Sequence, residues 1–260
     1  MSARAVRRAE IVDRALPVID ATEDAEPAWT ATLRRRSRPH GRFRRALRRT
    51  IHFFAYRLIL SRRRPSVAHA AGFRLKVRPS VFHPRYFLSS ECFAEFIAGL
   101  DLDGRHVLDI GTGSGILALA AARAGAQSVI AADINPHAAV NAAENARANG
   151  FGDRVAGICC DLLSAFASRP LFDVILSSPP KHPGAPRDLA DRGWHAGPEY
   201  CGVAAMFEQA RPRLEPAGRL YVMLSSDSDL ALFARLIDQA GFAARVVREH
   251  SILIESLIIL

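Results

Sequence analysis

The run from His106 to Ala126, HVLDIGTGSGILALAAARAGA, constrains the chain more than any other segment. Val107, Leu108 and Ile110 form a short apolar run that suits a buried strand. Gly111, Gly113 and Gly115 follow at alternate positions. Ile116, Leu117, Leu119 and a series of alanines then suit a helix packed on a sheet. Glycine permits the sharp turn and removes the Cβ that would collide with a ligand. The N–H groups of the helix start would then face that ligand. A strand, a glycine turn and an apolar helix in this order predict an α/β fold and narrow the chain to nucleotide-cofactor binders, with a plain tight turn as the alternative.

The spacing counts against one such class and excludes another. The dinucleotide fingerprint needs G-x-G-x-x-G, but here the third glycine comes one residue early and Ile116 stands at the last glycine position. A P-loop needs G-K-[ST], which does not follow. A second apolar strand, Ser128 to Ala132, ends at Asp133. A carboxylate there can accept hydrogen bonds from both hydroxyls of a ribose, each worth ~1.5–3 kcal/mol. The other reading of Asp133 is a turn residue. Asn135 then suits a helix N-cap, Pro136 the first helical position and Gly150 the end. Ala138, Val140, Ala143 and Ala146 supply a narrow apolar stripe between them.

With these residues the segment from about Val81 to Leu260 resembles the class I S-adenosylmethionine-dependent methyltransferases. Asp109, Gly111, Thr112, Gly113 and Gly115 match the family's first motif. Asp133, followed by Ile134, matches its ribose-binding acid. Asp161, after the strand Val155–Cys160, matches the position that meets the adenine amino group, with Leu162 beside the ring. The resemblance implies S-adenosyl-L-methionine as cofactor. It also implies a Rossmann-like methyltransferase fold: a seven-stranded, mostly parallel sheet with helices on both faces and a C-terminal antiparallel hairpin.

A fourth apolar strand, Phe172 to Leu176, runs into Ser177-Ser178-Pro179-Pro180-Lys181. Two prolines after a strand fix a rigid, extended turn. Rigidity suits methyl transfer, an in-line displacement that gains from holding the nucleophile in a near-attack geometry. The stretch resembles the Asn-Pro-Pro-Tyr motif of methyltransferases that modify planar amino groups, among them the release-factor glutamine methyltransferases. The resemblance implies Ser178, Pro179, Pro180 and Lys181 as the catalytic stretch. Ser178 replaces the asparagine and can still accept one hydrogen bond at shorter reach. Lys181 replaces the tyrosine and offers no ring; it either meets an acidic substrate group or is solvated. Val81-Phe-His-Pro84, with Ser89, Ser90 and Glu91, resembles the F/Y-x-P element before the first helix of that subgroup; the alternative is a proline ending a strand. The long segment Lys181 to Tyr200 makes His182, Trp194, His195 and Tyr200 candidates for substrate contact.

The remaining pattern predicts a strand at Leu220–Leu224 after the turn Pro216–Gly218, a helix over Leu230–Ala240, and closing strands at Ala244–Val247 and Ile252–Leu260. The last apolar run reaches the final residue with no polar tail, which leaves open whether the chain continues.

Charge divides the chain. Residues 1–80 hold 20 Lys+Arg against 6 Asp+Glu, while residues 81–260 hold 15 against 20. The high basicity therefore belongs to an N-terminal extension, residues 1–80, and the catalytic domain, residues 81–260, is mildly acidic. An amphipathic basic helix is predicted near residues 42–62, around Ile51–Leu60. It is too short and too charged to span a bilayer. It would lie on anionic lipid, follow RNA phosphates, or pack on the domain with its arginines outward. Cys92, Cys159, Cys160 and Cys201 form no C-x-x-C pair, which suits a reducing cytosol better than disulfides or zinc.

Three expectations follow. The first is methyl transfer to a nitrogen of a protein side chain or RNA base, in the cytoplasm, with no metal required and the extension recruiting the macromolecule. The second keeps the fold with a small-molecule acceptor. The third is a non-catalytic RNA- or membrane-binding protein that keeps the fold. Oligomeric state is not encoded in any of these signals.

Overall fold

The computed structural model describes residues 64–84, 88–251 and 256–260. The basic helix predicted near 42–62 lies outside them. The described chain begins with an antiparallel hairpin, β1 (Ser66–Ala70) and β2 (Phe73–Val77). Then follow α1 (Leu88–Ile97), β3 (His106–Ile110), α2 (Ile116–Arg123), β4 (Ser128–Asp133), α3 (Pro136–Ala148), β5 (Val155–Cys159) and β6 (Phe172–Ser177). After a long loop come α4 (Cys201–Ala210), β7 (Leu214–Ser225), α5 (Leu230–Gln239), β8 (Arg248–Ser251) and β9 (Ser256–Ile259).

The seven later strands form one sheet in the order β5-β4-β3-β6-β7-β9-β8. Strands β3 to β7 pair in parallel, and β9 runs antiparallel to both β7 and β8. The order reverses beside β3, so a crevice opens at the carboxyl ends of β3, β4 and β6, where open α/β sheets bind ligands.

Strand alternation sorts the core into two layers. Val107, Val174, Leu176, Tyr221 and Met223 point to one face and pack with α1, α2 and α3. Leu108, Ile110, Ile175, Val222 and Leu224 point to the other and pack with α4 and α5. Helices cover both faces, as the strand–helix alternation predicts.

Helix α3 departs from its predicted stripe. Its buried residues are Ala138, Ala139, Asn141, Ala142, Asn145 and Ala146, while Val140 is 47% exposed. The asparagines are buried because they hold the hairpin. Asn141 Oδ1 accepts from Arg78 N and its Nδ2 donates to the Lys76 carbonyl. Asn145 Oδ1 accepts from Lys76 N, and its Nδ2 donates to the carbonyls of Lys76 and Ser114. Asn149 repeats the pattern on Arg74. An amide carries both donor and acceptor, so three amides four residues apart on one helix face pair with the free edge of β2 much as a strand would. The folded unit thus reaches N-terminal of residue 81, into the segment that charge assigns to the extension.

Two further differences lie at the ends of the sheet. The first closing strand is Arg248–Ser251, not Ala244–Val247, because the register pairs Arg248 with Ile259 and Ser251 with Ser256. β5 is an edge strand, with Cys159 exposed at its end.

Candidate active site

The glycine turn is held from behind by two carboxylates. Asp109 is fully buried, and its Oδ2 accepts from Thr112 Oγ1 at 2.6 Å and Ala118 N at 3.2 Å. Ala118 is the third residue of α2, whose N-cap is Gly115 and supplies no side chain. Asp109 therefore caps α2 from the neighbouring strand, satisfying a first-turn N–H. Its Oδ1 has no partner among the described residues. Burial pushes the carboxyl up to about 7; the Thr112 and Ala118 bonds offset part of that shift, and the Asp133 charge adds to it. Asp133 Oδ2 accepts from Gly113 N at 3.0 Å, and its Oδ1 from Asn135 N at 2.9 Å. Burial raises its pKa as well, against those two backbone bonds.

The three glycines do different work. All have positive φ, at 72°, 55° and 84°. A Cβ on Gly111 would meet nothing within 4 Å, so that position opens on the crevice. A Cβ on Gly115 would sit 2.9 Å from Ala142 Cα. Gly115 is thus required by the close approach of α2 to α3.

A cavity of about 590 Å³ lies over these strand ends. Gly111, Thr112, Gly113, Asp133, Ile134, Asp161 and Leu162 line it, as do Ser178, Pro179, Pro180 and Lys181. Asp109 and Gly115 stand behind it and act through the turn. Ser177 is buried, and its Oγ donates to the Ile110 carbonyl at 3.3 Å, tying the end of β6 to β3. The proline pair therefore leaves the sheet beside the glycine turn. Ser178 is exposed at the cavity wall.

The loop after the proline pair folds back over the cavity. Trp194 and His195 line it, whereas His182 and Tyr200 stand behind. The His182 ring stacks on Trp194, with centroids 5.7 Å apart. Tyr200 Oη donates to the Lys181 carbonyl at 2.9 Å, fixing the end of the proline stretch. Phe82 and Ser89 close the opposite wall, and Phe82 meets the Trp194 ring edge-on. Sequence reasoning missed the buried Asp191, which carries no local motif, and the amide ladder, whose only signal is the four-residue asparagine spacing.

The family model described as ribosomal protein L11 methyltransferase matches residues 90–178. That stretch holds the glycine turn, Asp133, Asp161 and Ser178. Over that stretch the chain is similar to a class I methyltransferase domain.

Its relatives are similar over parts of their length. The ribosomal protein L11 methyltransferase of Actinobacillus succinogenes is 51% identical over 61 residues, 24% of this chain and 21% of that protein. The enzyme of the same name from Deinococcus radiodurans is 33% identical over 130 residues, 50% of this chain and 43% of the relative. A putative protein N5-glutamine methyltransferase from Methanocaldococcus jannaschii is 32% identical over 120 residues, 46% of this chain and 57% of the relative. The chain thus spans less than half the length of these L11 methyltransferases. Among solved structures, a Thermus thermophilus 16S rRNA N2 G1207 methyltransferase in complex with AdoMet and guanosine has a TM-score of 0.54 at 23% identity, covering 75% of this chain and 49% of that one. A Pyrococcus abyssi Trm5b structure has the same TM-score at 19% identity, covering 75% and 55%. Both share the fold of the methyltransferase domain. No helix among the described residues is long and apolar enough to cross a membrane.

Proposed function

We propose that the protein transfers a methyl group from S-adenosyl-L-methionine to a nitrogen of a protein side chain or RNA base. The observation that carries this reading is the single cavity in which Gly111, Asp133 and Asp161 meet the Ser178–Lys181 stretch. The cavity fits the donor. Asp133 lines the wall at a strand tip, where it would take the ribose hydroxyls. Gly111 leaves room for backbone approach, and Asp161 with Leu162 would hold the adenine. When bound, the donor supplies an electrophilic methyl group on a positive sulfonium.

The rest of the work falls to the chain. Asp109 and Asp133 hold the turn rigid through four hydrogen bonds, so the donor side needs no reorganisation on binding. Ser178 and the Pro179 carbonyl would accept hydrogen bonds from the acceptor nitrogen and aim its lone pair. Lys181 cannot stack, but Trp194 and Phe82 supply aromatic surface at the same cavity, which favours a flat acceptor. The names of the relatives, a ribosomal protein methyltransferase and a putative protein glutamine methyltransferase, favour a protein acceptor. Residues 1–80, with 20 Lys+Arg, would draw a macromolecule towards the domain.

Labelled S-adenosylmethionine incubated with the full chain and a fractionated cell extract tests the reading. Label in protein or RNA, lost with Asp133→Ala, supports it. Label confined to small molecules moves the acceptor to that class. Calorimetry that finds no donor binding to the unmutated protein would refute enzymatic transfer altogether.

A further inference from the structure

The loop from Lys181 to Tyr200 is a built structure. His182 pairs with His195 and Gly184 with Gly197 as β-bridges across it. Its exit is strained: Glu199 and Tyr200 both hold positive φ, at 50° and 59°, a cost of ~1–3 kcal/mol for each residue that the surrounding contacts must offset. Strain of this kind persists where a site depends on the geometry it enforces.

At the centre of the loop Asp191 is fully buried. A carboxylate survives such burial only with strong partners. Arg187 supplies two, its backbone N–H and its Nε, both 3.1 Å from Asp191 Oδ2. His195 Nδ1 lies 3.2 Å from the same oxygen, within ion-pair distance but not aligned as a hydrogen bond. Burial pushes the Asp191 carboxyl up, but the Arg187 bonds and the His195 and Arg187 charges together hold it below the ordinary carboxylate range. Asp191 is therefore a buried anion, and His195 beside it lines the cavity. The His195 side chain is 19% exposed, and that exposure is on the cavity wall with Ser178 and Pro179. The nearby carboxylate would steady the ring as it takes up a proton.

We infer that His195 is the general base of the transfer and Asp191 its positioning residue. This assignment rests on the methyltransferase reading above. It also narrows the acceptor to an N–H nucleophile that must shed a proton. As the acceptor nitrogen attacks, an N–C bond forms to the methyl carbon and the S–C bond breaks with its electron pair on sulfur. The proton of the acceptor N–H passes to His195 and leaves to solvent before the next turnover.

The test uses the full chain, labelled S-adenosylmethionine and the protein and RNA fractions of a ribosome-rich cell extract. His195→Gln keeps the side chain polar and of similar reach but removes the base. It is expected to lower kcat by ~10²–10⁴-fold, with donor KM changed by less than about threefold. Imidazole in the buffer is expected to restore part of the turnover of His195→Gly and none to the unmutated protein. A residue that merely props the loop would shift donor KM and thermal midpoint instead, with no response to imidazole. His195→Gln turning over within about threefold of the unmutated protein overturns the base and leaves the methyl-transfer reading standing. An unmutated protein that transfers no label overturns both.

Discussion

Replacing Asn145 with alanine tests whether the hairpin and the donor site are one mechanical unit. Asn145 is 1% exposed. Its amide makes three bonds of 2.8 Å, two to Lys76 of β2 and one to the carbonyl of Ser114 in the glycine turn. Each such bond contributes ~0.5–1.5 kcal/mol net, and a buried group left without its partner costs ~1–3 kcal/mol. The Lys76 carbonyl keeps its bond from Asn141, which limits the loss. Asn145→Ala should therefore destabilise the fold by ~2–4 kcal/mol. Donor affinity should fall as well, because Ser114 lines the cavity and loses its tether. Denaturant unfolding gives the first number and calorimetry with S-adenosylmethionine the second. Val140→Ala on the exposed face of the same helix is the control, expected within ~0.5 kcal/mol of the unmutated protein. A stability loss for Asn145→Ala no larger than the control's would refute the amide ladder as the hairpin's anchor. A full loss with donor affinity intact would separate the hairpin from the site.

The two glycines give opposite signatures. Gly115→Ala drives a Cβ into Ala142 and should cost ~2–4 kcal/mol in unfolding experiments. Gly111→Ala meets no neighbouring atom, so it should cost only ~1 kcal/mol of backbone strain while weakening donor binding measurably by calorimetry. Asp109 makes stability pH-dependent. Its folded pKa is raised to about 7. The stability it contributes is thus complete below the unfolded value near 4 and is lost as pH rises through 7. Thermal midpoints of the donor-free protein should fall between pH 5 and pH 8, and Asp109→Asn should flatten that slope; equal slopes in both proteins would refute the linkage. Tyr200→Phe removes the bond to the Lys181 carbonyl and should lower kcat more than donor affinity, since it loosens the acceptor side alone.

The strand–turn–helix frame of the candidate site was legible because it is local. Asp109, the three glycines and Ile116 to Leu119 lie within eleven residues, and a strand, a sharp turn and a helix follow from their order alone. Asp133 was legible for the same reason, at the end of one strand and before an N-cap. The fold class followed from the strand–helix alternation, since apolar periodicity is a property of neighbours in the chain.

What depended on distant neighbours was decided only in three dimensions. Sequence assigns Asp109 and Gly115 to the ligand, whereas the fold sets Asp109 under α2 and Gly115 against Ala142, behind the cavity. Asn141 and Asn145 are polar and break the predicted apolar stripe of α3, because their partners are backbone groups 31 to 69 residues away. In sequence His195 reads as a candidate for substrate contact, and Asp191 carries no signal of its own. Their pairing needs the loop to close on itself. A pattern within the chain can specify where the chain turns. Which buried charge faces which ring depends on desolvation and partners, and only packing between distant segments supplies those.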